Sequence, residues 1–122
     1  GYEPDRDIFK RNAALTKVMM TEDPDEAAAG AHVLTTDVWA SMGQEAEAEE
    51  RRDAFARFVV NAALMAVSPE AVVMHCLPAY RGKEITNDVM EEHAGVIFDQ
   101  AENRLHAQKA LLEYVVCGRV EA

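Results

Sequence analysis

Apolar residues in this chain recur at helical spacing in some stretches and gather into short continuous runs in others, and the two kinds of stretch alternate. Between Asp5 and Lys17, Ile8, Phe9, Ala13 and Leu15 stand among charged residues, the pattern of an amphipathic helix. Val18-Met19-Met20 is a short strand candidate. Asp23 before Pro24 sets a capping carboxylate ahead of a helix-starting proline, and Gly30 closes the short Ala-rich helix that follows. His32 to Thr36 is the next strand, and the charged stretch from Glu45 to Arg57 is helical. Phe58-Val59-Val60 looks extended, Asn61 caps a short helix through Val67, and Pro69 ends it. Ala71 to His75 is an apolar strand of the buried type. Thr86 starts another short helix, and Gly95-Val96-Ile97-Phe98 reads as a further strand. Asp99 and Glu102 then form a capping box opening a last helix, with Ala101, Leu105, Leu112 and Val116 along its apolar face and Gly118 as its stop.

Strands alternating with helices predict an α/β fold: a parallel sheet flanked by helices in a Rossmann-like three-layer arrangement, as one domain over residues 1–122. In such sheets ligands bind beyond the carboxyl ends of the strands. Three predicted strand exits carry unusual polar residues: Asp37 with Ser41-Met42-Gly43, His75-Cys76-Leu77-Pro78, and Asp99 through Arg104. The topology is expected to bring them to one rim.

Composition narrows the partners. The 122 residues are 49% apolar and 28% charged, ordinary for a soluble globular domain, and no apolar run nears the roughly 20 residues of a membrane span. The formal net charge is −10, and no basic cluster exceeds Arg51-Arg52, which argues against a nucleic-acid partner. Two cysteines, Cys76 and Cys117, form neither a CxxC pair nor a disulfide framework, in keeping with a reducing cytoplasm. The four histidines show no ligand spacing, so no metal is expected, and no cofactor either. A Gly-x-Gly-x-x-Gly turn, which a nucleotide-binding oxidoreductase would carry, is absent.

Each polar cluster supports a chemical and a plainer reading. Asp37 beyond a strand offers an acceptor for an ammonium group, and Ser41 to Gly43 offer backbone N–H donors for a carboxylate; equally, Asp37 caps the loop and Trp39 packs. Cys76 beside His75 resembles a thiol nucleophile pair, but neighbours on an extended chain point to opposite faces, which leaves a buried structural cysteine as the other reading. The Leu77-Pro78 bond permits a cis form that turns carbonyls toward a ligand. Arg104 near a helix start can donate a fork of hydrogen bonds to a carbonyl or phosphate oxygen, or pair locally with Gln100, Asp99 or Glu102.

Taken together, DVWASMGQE (37–45), HCLPAYRG (75–82) and DQAENRLHAQKALL (99–112) resemble the ornithine carbamoyltransferases in wording, order and separation, and the likeness runs from Gly1 to about Leu112. The Ser-Met-Gly stretch and the cysteine of the His-Cys-Leu-Pro segment favour the ornithine enzymes over carbamoyltransferases acting on other amines. The resemblance implies a carbamoyl group passed from carbamoyl phosphate to the δ-amine of L-ornithine. It implies that Asp37, Ser41 and Met42 hold ornithine, that Cys76 sits beside the attacking nitrogen, and that Cys76, Leu77 and Arg104 contact carbamoyl phosphate, with Cys76 and Arg104 catalytic. The family's Ser-x-Arg-Thr and His-Pro-x-Gln segments do not occur here, nor does the Asn-bearing strand that opens the ornithine domain. The resemblance therefore implies that the carbamoyl phosphate domain and the first strands of this domain lie outside the chain. It implies further that the parent is a homotrimer, that the isolated chain is inactive, and that an open sheet edge makes it self-associate. The alternative is a non-catalytic ornithine-binding or interaction module derived from the same fold.

Overall fold

The computed structural model describes residues 2–40 and 43–118, with Glu45 described by its backbone alone. Helix α1 runs Arg6–Ala13, where the Asp5 carboxylate accepts from the N–H groups of Asp7 and Ile8. Asp23 does the same for Asp25 and Glu26 at the start of α2 (Pro24–Ala28), and Gly30 then takes the positive φ of 70° that lets the chain turn into the sheet. Strand β1 is Val33–Thr36. A 3₁₀ turn at Glu45–Glu47 leads into α3 (Ala48–Phe55), and α4 (Ala62–Val67) begins where the Asn61 side chain accepts from the Leu64 N–H. Strand β2 is Val72–His75, followed by α5 (Asn87–Glu92) and the long α6 (Ala94–Cys117), which Gly118 ends at φ 72°.

The α/β expectation holds: β1 and β2 pair in parallel, Val33 opposite Val72 through Thr36 opposite His75, with α3 and α4 in the crossover. Helix α6 packs on β2 and α2 packs on α4. The core is small. Val60, Val73, Ile85, Val89, Met90 and Ile97 form it, with Leu64, Met65, Leu77 and Ala79 packed around them. Val60 and Ile85 also make a parallel bridge, with the Val60 N–H donating to the Glu84 carbonyl and the Thr86 N–H to the Val60 carbonyl.

Two strand expectations fail. Val18-Met19-Met20 is exposed and unpaired with any strand among the described residues; β propensity without a ladder partner does not make a strand. Residues 95–98 belong to α6, whose start lies at Ala94, so Asp99 and Glu102 sit inside the helix and form no capping box. A four-residue apolar run has no period that separates a strand from a helix segment. Burial decides it: Ile97 is fully enclosed while Phe98 is exposed. The predicted apolar face of the last helix is largely open, with Leu105, Leu112 and Val116 all exposed.

Candidate functional site

The register of the sheet builds the site. Because Thr36 lies opposite His75, the next residues in each strand direction, Asp37 and Cys76, leave the sheet side by side. The Cys76 thiol donates to Asp37 Oδ1 over 3.3 Å, and the same oxygen accepts from the Val38 N–H at 2.7 Å. Two exits 39 residues apart in sequence thus meet.

The thiol keeps an exposed surface, yet the chain around it strips part of its hydration. That desolvation, followed by the hydrogen bond and negative charge of Asp37, raises the Cys76 pKa above the ordinary thiol value. Arg104 opposes the rise: its charge acts on the same sulfur and lowers the pKa. The third segment is therefore present at the rim, but it arrives on the flank of α6 and not from a strand exit. Arg104 is exposed and makes no ion pair among the described residues. Of the local partners open to it, Glu102 faces His106 Nε2 at 3.7 Å, and Gln100 Oε1 is buried without a hydrogen-bond partner among the described residues. At neutral pH the arrangement offers a neutral S–H donor, a carboxylate acceptor and a guanidinium without an ion pair among the described residues.

Leu77 has φ 55° and is followed by a cis bond to Pro78. Its N–H donates to His75 Nδ1 at 2.9 Å. His75 is fully buried and Cys76 exposed, and no hydrogen bond among the described residues joins the two side chains, so they do not form a dyad. One donor atom each from Asp37, His75 and Cys76 lies within 4.8 Å of the others. The Leu77 N–H already uses the Nδ1 lone pair, however, which leaves Asp37 and Cys76 as two open donors where a zinc site takes three or four protein ligands. Ser41 and Met42, the other expected contacts, lie outside the described residues. Gly43 after them has φ 89°, a turn that favours glycine.

Trp39 does pack, stacking on Phe55 with ring centroids 6.4 Å apart, and Phe55 also meets Tyr2 and Phe58. On this side of β1 an open groove of about 400 Å³ is lined by Leu34, Thr36, Asp37, Trp39, Phe58 and neighbouring residues. Asp37 is the point shared by the groove and the Cys76 cluster.

Sequence reasoning missed Glu84. It is fully buried beneath the loop, accepts from the Tyr80 N–H through Oε1 and lies 3.4 Å from His75 Nε2. Nothing in the Gly-Lys-Glu-Ile spacing signals a buried acid, because a charged residue beside a turn is ordinarily exposed.

Known proteins resemble this chain in sequence and in fold. Residues 1–115 match the family model of the aspartate/ornithine carbamoyltransferase Asp/Orn binding domain. The ornithine carbamoyltransferase of Oleidesulfovibrio alaskensis is 56% identical over 120 residues, covering 97% of this chain and 40% of the relative. The anabolic ornithine carbamoyltransferase of Campylobacter jejuni has a solved structure that superposes with a TM-score of 0.88 at 37% identity, over 97% of this chain and 41% of that one. The ornithine carbamoyltransferase of Pyrococcus furiosus gives a TM-score of 0.78 at 52% identity, over 92% of this chain and 38% of that one. The chain thus spans about 40% of the length of the curated relatives it matches. By family model, sequence and fold alike, it belongs to the Asp/Orn-binding domain family of the aspartate/ornithine carbamoyltransferases.

Proposed function

We propose that this chain is the ornithine-binding part of an ornithine carbamoyltransferase, which moves the carbamoyl group of carbamoyl phosphate to the δ-amine of L-ornithine, giving citrulline and phosphate. The observation that carries the proposal is the meeting of Asp37 and Cys76 at one sheet end, with Arg104 close enough to act on the thiol. Asp37, with Oδ2 free of the thiol, accepts the α-ammonium of ornithine together with Ser41. The Met42 segment binds the α-carboxylate through backbone N–H groups. The Cys76 side chain flanks the δ-nitrogen, the carbonyls of Cys76 and Leu77 accept from the carbamoyl NH₂, and Arg104 donates to carbamoyl phosphate.

A δ-ammonium has a Lys-like pKa of about 10.4, so near pH 8 roughly one ornithine in a few hundred carries the neutral amine that attacks. The thiol is held protonated, which favours the departing phosphate as the final proton acceptor, with Cys76 orienting the amine. Positioning and electrostatics in a water-poor site supply most of the rate. The reading extends to a cytoplasmic enzyme of arginine biosynthesis whose parent is a homotrimer, and to a 122-residue chain that alone makes no citrulline.

A chimera tests this: the chain replaces the matching segment of a full-length relative, and citrulline is measured. Turnover is expected, with Arg104→Gln lowering kcat by roughly 10²–10³-fold. A chimera that folds and assembles but forms no citrulline would sink the assignment, and rapid turnover by the isolated chain would sink the half-site reading.

A further inference from the structure

We propose that His75 and Glu84 form a buried brace that aims the Cys76 carbonyl out of the core and into the site. They are positioning residues, and the inference rests on the carbamoyl-transfer reading above. Both side chains are fully enclosed, and the chemistry described so far uses neither. His75 Nδ1 accepts the Leu77 N–H, so in the neutral ring the proton sits on Nε2, which faces Glu84 Oε1 at 3.4 Å. The same Oε1 accepts the Tyr80 N–H. One couple therefore holds two backbone N–H groups, one on each side of the Pro78 turn.

The consequence follows from peptide geometry. The bond between Cys76 and Leu77 is trans, since the cis bond is the next one along. Across a planar trans peptide the N–H and C=O point in opposite directions. Turning the Leu77 N–H inward to His75 thus turns the Cys76 carbonyl outward, and fixing the Tyr80 N–H on Glu84 does the same for the Ala79 carbonyl. Leu77 also sits at φ 55°, a region that residues with a Cβ seldom occupy unless the surroundings fix them there.

Stability does not explain the pair. His75 Nε2 and Glu84 Oε2 are buried without a hydrogen-bond partner. Unmatched buried polar atoms cost free energy, and a well-packed apolar pair is often as stable or more so. What the couple provides is carbonyl direction, which a ligand carrying an NH₂ group reads.

The test combines amide exchange and nitrogen NMR on the 122-residue chain with kinetics on the chimera. In the parent chain His75 should be the Nε2–H tautomer, and the Leu77 and Tyr80 amides should exchange slowly. Glu84→Ala should speed exchange at Tyr80, and through His75 at Leu77, by about tenfold or more, while Ile97 in the core stays protected. Glu84→Gln, whose amide oxygen still accepts, should restore protection at Tyr80. In the chimera, Glu84→Ala should lower kcat at least tenfold with the KM for ornithine little changed, and Glu84→Gln should recover most of it. Unchanged exchange at Leu77 and Tyr80 in Glu84→Ala would overturn the proposal, as would a uniform rise that includes Ile97. An inactive parent chimera with the expected exchange pattern would instead remove the carbamoyl-transfer reading and leave the brace standing.

Discussion

The Cys76 thiol is set by its neighbours one charge at a time, and each contribution is separable. Loss of hydration raises its pKa, the Asp37 carboxylate raises it further, and Arg104 lowers it. In a Cys117→Ser background, where Cys76 is the remaining thiol, alkylation followed against pH reports this balance. Asp37→Asn removes both the acceptor charge and its field, so the alkylation midpoint should move to lower pH, and Arg104→Gln should move it higher. A midpoint unmoved by Asp37→Asn would break the 3.3 Å contact as an electrostatic link. Stability follows with a definite sign. A thiol whose folded pKa lies above its unfolded one contributes stability below the unfolded value and loses it as pH rises through the folded value. The alkaline loss should accordingly be smaller in Asp37→Asn. At this scale Asp37 and Cys76 stood out as candidates because each follows an apolar run directly, Leu77 because a proline follows it, and Arg104 because it lies near a predicted helix start. Glu84 stayed hidden, since its burial depends on a turn that folds it under the loop and not on anything in its local spacing.

Among the elements, those with chemical punctuation were legible. Asp23-Pro24, Asn61 and Gly118 each mark an end that the structure reproduces, because a cap is a local hydrogen bond that needs no distant partner. Elements defined by apolarity alone were not: Val18–Met20 makes no strand, and residues 95–98 are helix. Gly95 offers a check on the energetics of this helix start. It lies in the first turn of α6 with open space where a Cβ would stand. Gly95→Ala should therefore stabilise the chain by about 0.5–1 kcal/mol, the usual gain for this exchange in a helix, read as a higher urea midpoint at unchanged m-value. A midpoint that falls would contradict regular backbone with open space at Gly95.

Across the whole molecule, two features leave apolar or unsatisfied surface in water. The sheet has two strands, so the edge of β1 away from β2 carries backbone groups that no other strand among the described residues meets. Helix α6 adds Leu105, Leu111, Leu112, Val115 and Val116, each more than 60% exposed. Open strand edges and contiguous apolar patches both favour association. Against them stands a net charge of −10, which repels a second copy over a Debye length of roughly 30 Å at 0.01 M salt but only about 3 Å at 1 M. The balance predicts self-association that grows with protein concentration and with salt, visible in sedimentation velocity as a shift from monomer toward dimer or larger species. If the β1 edge is the contact, Val33→Lys should weaken it at 1 M salt, where the added charge acts locally and no longer through the long-range field. Truncating α6 after Lys109 would remove Leu111, Leu112, Val115 and Val116 while leaving the edge intact, so the two variants apportion the association between the two surfaces. A sharp monomer at high salt and high concentration would show that neither surface is adhesive and that the exposed edge is tolerated as it stands.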